Sequence, residues 1–131
     1  MGVKEHINDF LSAHPKFRAN VGTYDPNKDI LKKIGDKIKG TKIKVFSANW
    51  CQDCRIQIPR LFSVIIALDH GAFELEIIEV DRSKMDENKM AEAMNVLAIP
   101  TFIFFRNGEE LGRIIEGPKG RLEEDILEII G

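Results

Sequence analysis

Thr41-Lys42-Ile43-Lys44-Val45-Phe46-Ser47-Ala48-Asn49-Trp50-Cys51-Gln52-Asp53-Cys54 changes character halfway along. Its first seven residues are rich in β-formers and read as a buried strand. Two cysteines follow at once, separated by two residues. From Arg55 to Leu68 the apolar residues Ile56, Leu61, Ile65, Ile66 and Leu68 read as a long helix with Pro59 inside it. The cysteine pair therefore sits where a strand runs into a helix.

That placement has chemical consequences. Cys51 falls at or just before the first helical turn, where backbone N–H groups lack partners and the helix dipole is positive. Both favour thiolate over thiol, and the thiolate is the nucleophile of disulfide exchange. Cys54 lies one turn further on, close enough to attack a mixed disulfide formed on Cys51. As a staple the pair does little, because so short a loop removes little entropy from the unfolded chain. An inert buried pair remains open as a reading. So does half of a zinc site shared across a dimer, because zinc takes four ligands and the chain offers no second such pair; His6, His14 and His70 show no ligand spacing.

Outward from the motif, Glu74 to Val80 reads as a second strand and Asp86 to Met94 as helical. Thr101 to Phe105 is a third strand, Asn107-Gly108 a hairpin turn, and Leu111 to Ile115 a fourth strand antiparallel to the third. Leu122, Ile126, Leu127 and Ile130 give a closing amphipathic helix. Upstream, Val3, Ile7, Phe10 and Leu11 recur at helical spacing, and His14 to Tyr24 is irregular. Asp25-Pro26 reads as a cap and first turn for a helix carrying Ile30, Leu31, Ile34 and Ile38, with Gly40 as its end. The order implies an α/β fold: a mixed four-stranded sheet between helices, preceded by an N-terminal helical extension.

The 131 residues are 44% hydrophobic and 31% charged, with a net charge of −2. A chain of this length supports a single domain with a real core, taken here as residues 1–131, with 1–24 packed on or beside it. The balance draws it to neither nucleic acid nor an anionic membrane. No apolar run nears the roughly 20 residues that span a bilayer, and the start shows no apolar signal core. We expect a cytoplasmic protein.

From about Ile43 onward, some two thirds of the chain, the sequence resembles the thioredoxin family. The likeness rests on Trp50-Cys51-x-x-Cys54, Pro59, Val80-Asp81, Ile99-Pro100-Thr101, Phe104-Phe105-Arg106-Asn107-Gly108 and Gly117. It implies a thioredoxin-like fold and thiol-disulfide oxidoreductase activity on protein disulfides, without a bound cofactor. Electrons would come from a reductase or a small thiol. It further implies catalytic roles for Cys51 and Cys54, a cis Pro100 facing the dithiol, and a substrate groove formed by Trp50, Ile99, Pro100 and Thr101.

Four departures from the pattern bear on mechanism. Gln52-Asp53 replaces the usual Gly-Pro; Asp53 stabilises the helix start but opposes a nearby thiolate, with Arg55 expected to offset it. The family's buried aspartate and its lysine match Val45 and Ile77, which removes a general base for Cys54. Ser47 stands where an aromatic residue floors the pocket. The extension before Asp25 has no counterpart. An alternative function, a redox-inactive adaptor or chaperone-like binding module on the same fold, stays open.

Overall fold

A computed structural model describes residues 2–131. Met1, the first residue of the extension and of the expected domain, lies outside the described residues. The elements are α1 (Val3–Ala13), α2 (Pro15–Arg18), α3 (Lys28–Lys37), β1 (Thr41–Ser47), α4 (Gln52–Ala67), β2 (Glu74–Glu79), α5 (Met90–Ala93), β3 (Thr101–Arg106), β4 (Glu109–Ile115) and α6 (Leu122–Ile130).

The strands form one sheet in the order β2-β1-β3-β4. β1 and β2 are parallel, while β1–β3 and β3–β4 are antiparallel. Thr101, Phe102, Ile103 and Phe104 are all buried, so β3 is covered on both faces, as expected of a central strand between helices. Asn107 and Gly108 both take positive φ, 54° and 79°, the backbone a two-residue hairpin needs to match strand twist. The mixed α/β architecture is thus the one the sequence implies.

Helix boundaries differ in instructive ways. The helix expected from Asp25-Pro26 begins two residues later, because the Asn27 side chain accepts the N–H groups of Asp29 and Ile30 at 3.0 and 3.1 Å and so satisfies the orphan donors itself. It ends at Lys37; Gly40 instead makes the turn into β1, its N–H donating to Ala72. The helical reading of Asp86 to Met94 shrinks to the single turn α5. There the Asp86 carboxylate accepts from Asn88, Met90 and Ala91, and Lys89 takes a left-handed φ of 56°. A side chain that bonds its own backbone in this way competes with the helix. The irregular stretch after His14 contains α2, started by Pro15 and burying Phe17 completely.

The extension is tied to α4 through one consequence of Pro59. A proline inside a helix donates nothing to the carbonyl four residues earlier, here that of Arg55. Asn20 fills that gap, its Nδ2 donating to the Arg55 carbonyl at 2.7 Å. Ile7, Phe10, Leu11 and Phe17 join the same apolar cluster as Ile58, Leu61 and Phe62 of α4, with Phe10 edge-on to both Phe17 and Phe62. On the other side α3 runs beside α6. The buried Glu123 of α6 accepts from the Tyr24 hydroxyl, the Asn27 amide and Arg121.

Candidate active site: a dithiol at the start of a helix

β1 ends at Ser47, and four residues later Cys51 is the N-cap of α4. Its Sγ accepts the backbone N–H of Cys54 at 3.2 Å, taking the place an Asp or Ser oxygen holds in an ordinary cap. The same sulfur lies 3.9 Å from the Ile99 carbonyl oxygen. Cys51 is 8% exposed and Cys54 not at all; both are free thiols. Cys51 is thus the less buried of the two residues.

Burial pushes the Cys54 thiol up, and its hydrogen bond to Cys51 adds to this, whereas the Ala48 amide and the Ser47 hydroxyl act the other way. In the resting dithiol Cys54 is therefore a neutral thiol at physiological pH. Val45, on the strand face shared with Ser47, is fully buried and pairs in register with Ile77. The two apolar residues at these positions are thus neighbours across β1 and β2.

The Ile99–Pro100 peptide bond is cis and both residues are buried, with the Ile99 carbonyl turned to the Cys51 sulfur. Thr101 is turned inward: its hydroxyl donates to the Ala98 carbonyl at 2.7 Å, so it shapes the loop rather than facing outward. Trp50 is half-buried, with the Arg82 guanidinium 5.1 Å from its ring centroid and its indole Nε1 buried without a partner. Gln52 and Asp53 are exposed on the first turn. Arg55, expected to offset Asp53, instead donates from Nε and Nη2 to the Asn49 carbonyl at 3.1 and 2.7 Å. A carbonyl within reach of two guanidinium donors holds it on the loop before the motif.

Sequence reasoning passed over Ala48, whose contribution is a backbone N–H that no side chain announces. It also passed over Arg82. That residue was findable, since it follows Val80-Asp81 just past the end of β2, beside the end of β1. Asp81 itself is spent on a turn, accepting from the amides of Ser83 and Met85. Among the described residues no group of three or more His, Cys, Asp or Glu side chains is placed to hold a metal ion, and no helix is long and apolar enough to cross a membrane.

Comparison with known proteins agrees with this geometry. The thioredoxin family model matches residues 27–129. Thioredoxin H-type 1 of Nicotiana tabacum is 32% identical over 96 residues, which cover 72% of this chain and 71% of that protein. The TPR repeat-containing thioredoxin TDX of Arabidopsis thaliana is 31% identical over 96 residues, 73% of this chain but only 24% of its own length. Among solved structures, Fasciola hepatica thioredoxin superposes with a TM-score of 0.53 at 27% identity, covering 75% of this chain and 89% of its own. A Pseudomonas aeruginosa protein of unknown function shares the fold at 20% identity, with a TM-score of 0.65 over 92% of this chain and 82% of its own. That last match is broad enough to include part of the extension. With a family match across nearly all of α3 to α6 and both cysteines placed at the head of α4, the chain belongs to the thioredoxin family.

Proposed function

We propose that the protein is a thiol-disulfide oxidoreductase that reduces or exchanges protein disulfides through Cys51 and Cys54. The observation that carries this reading is the position of the Cys51 sulfur: it caps α4 and accepts the Cys54 N–H at 3.2 Å. In the first step the Cys51 thiolate attacks one sulfur of a target disulfide, whose S–S bond breaks and whose other sulfur leaves with the electron pair. The resulting mixed disulfide is then attacked at Cys51 by Cys54. The target departs with two added electrons, and the protein is left as the Cys51–Cys54 disulfide. A reductase protein or a small thiol returns the two electrons. Trp50, Ile99 and Pro100 form the docking edge, Thr101 shapes it from behind, and Gln52, Asp53 and Arg55 modulate the helix start. The reading needs no bound cofactor, and a reducing compartment such as the cytoplasm suits it. It also treats residues 1–24 as an arm of one folded unit.

The test is equilibration against a dithiol redox buffer with thiol trapping. We expect a reversible two-electron transition that is abolished in Cys51→Ser, with loss of disulfide-reductase activity by several orders of magnitude. A second reading, an adaptor on the same fold, draws support from Val45 in place of a buried acid. An adaptor keeps its function in Cys51→Ser, and a chain that forms no internal disulfide would sink the oxidoreductase reading.

A further inference from the structure

Two chain segments leave the parallel pair of strands side by side, because the Val80 N–H donates to the Ser47 carbonyl at 2.9 Å. Ligands of parallel strands bind at this carboxyl end. One segment carries Trp50 and Cys51. The other turns sharply at Asp81: its N–H donates to the Met85 carbonyl, its carbonyl accepts from Lys84, and its carboxylate accepts from the amides of Ser83 and Met85. Arg82 lies in that turn, and its guanidinium is 5.1 Å from the centroid of the Trp50 ring. The ring it rests on belongs to the residue next to the attacking cysteine.

Other arginines of the chain are spent on protein acceptors. Arg113 and Arg121 pair with Glu110 and Glu123. Arg55 and Arg106 donate to backbone carbonyls. Arg82 is exposed, and among the described residues no carboxylate pairs with it. An aromatic ring attracts the charge through its quadrupole but does not neutralise it. The guanidinium therefore stays a docked cation, with a donor fork that suits a carboxylate. Nearby acids leave it so: Asp81 is spent on its turn, and Glu79 is held by His14 at 2.7 Å. Asp53 is exposed on the first turn of α4 and makes no ion pair with it.

We propose that Arg82, held over Trp50, is a specificity-determining residue that favours target disulfides flanked by Asp or Glu. This rests on the oxidoreductase reading of the dithiol. A target segment lying along Trp50 toward Cys51 brings a flanking carboxylate within reach of the guanidinium. Because the ring already places that guanidinium, less side-chain freedom is lost when the target docks. Arg82 takes no part in making or breaking bonds, and Cys51 and Cys54 carry the two electrons for every target.

The experiment uses the reduced full chain and two peptides, each closed by an internal disulfide and identical except for glutamate or glutamine beside the cysteines. Second-order rate constants for peptide reduction are read by thiol trapping. Each is divided by the rate constant for dithiothreitol on the same peptide, which removes the intrinsic reactivity of the disulfide. We expect the parent to favour the glutamate peptide about fivefold at low salt, the upper range for an exposed ion pair, with the preference shrinking as salt is added. In Arg82→Gln the ratio should fall to about one while the glutamine peptide keeps its rate. Arg82→Lys should retain part of the preference, and Arg82→Glu should invert it. A parent with no preference, a preference that survives in Arg82→Gln, or equal slowing on both peptides overturns the proposal. A parent chain that reduces neither peptide defeats the oxidoreductase reading itself, a result distinct from these.

Discussion

Two polar regions of this molecule are built on opposite terms. Where the extension meets α6, Glu123 is fully buried, yet it accepts from Tyr24, from the Asn27 amide at 2.7 Å and from Arg121 at 2.9 Å. Arg121 in turn donates to the Asp25 carbonyl, and the Arg60 and Arg121 guanidinia lie over the Tyr24 ring. From the end of β1 into the first turns of α4, Ser47 Oγ, Trp50 Nε1 and Gln57 Oε1 are buried with no partner. A buried network with its bonds made fixes one geometry. Buried groups left unpaired weaken the fold locally and remain free to bond something that arrives later. The first region holds the extension and α3 to α6, and the second adjoins the two cysteines in sequence.

The largest stability effect should come from breaking the satisfied region. Glu123→Ala leaves the Tyr24 hydroxyl and the Asn27 amide without their acceptor and should cost about 1–3 kcal/mol, the range for leaving buried donors unsatisfied, read as a lower urea midpoint. A cost below 1 kcal/mol would mean the two regions do not differ as argued. Burial alone would raise the Glu123 pKa, but the hydrogen bonds from Tyr24 and Asn27 outweigh it, and the net shift is downward. A depressed folded-state pKa contributes stability above the ordinary glutamate range that is lost as pH falls through the folded value. Acid should therefore loosen the extension before it affects the dithiol, which hydrogen exchange at Tyr24 and Asn27 would register. Ser47→Ala, in the unsatisfied region, should show no matching loss of stability.

A smaller effect sharpens the boundary between the regions. Asn20 serves the carbonyl that Pro59 leaves unpaired on the helix bearing both cysteines. Asn20→Ala should cost about 1–2 kcal/mol, the desolvation of one unpaired carbonyl. In Asn20→Ala with Pro59→Ala, the restored amide serves Arg55 from within the helix and the cost of losing Asn20 should shrink. Additive costs in this double-mutant cycle would show that the extension does not act through that carbonyl.

How far these regions were legible in sequence follows from the range of the interactions. The dithiol could be placed because a β-rich run, two cysteines and an apolar helical stripe are contiguous. Asn107-Gly108 fixed the hairpin for the same reason. Helix starts were harder: Asp25-Pro26 and Asn27 are both credible caps, and only the capture of the Asn27 amide by Glu123, 96 residues away, selects the second. The turn at Asp86 was missed because a carboxylate folding back on its own amides leaves the apolar spacing intact. Asn20 and Ser47 carry no local signal of their use. The use of Asn20 depends on a carbonyl 35 residues on, and Ser47 has no partner that would announce one.

The smallest effect lies far from both regions and tests whether exposed pairing resembles the buried kind. The His70 ring bonds Asp69 and, at 2.7 Å, Asp36, which raises its pKa. A raised folded-state pKa contributes stability present below the ordinary histidine range and lost as pH rises through the folded value. Because all three side chains are exposed, the contribution is small and screened by salt. The ring reaches Asp36 only because Gly35 has no side chain: a Cβ there would meet the ring atoms at 2.5–2.9 Å. Gly35→Ala should therefore expel the imidazole and erase the difference in melting temperature between mildly acidic and mildly alkaline buffer. The midpoint itself should hold or rise, since alanine in a helix interior gains up to about 1 kcal/mol over glycine. If the acid–alkaline difference survives in Gly35→Ala, the His70 pairing is not its source. The contrast between satisfied and unsatisfied groups would then apply only to the buried parts of the chain.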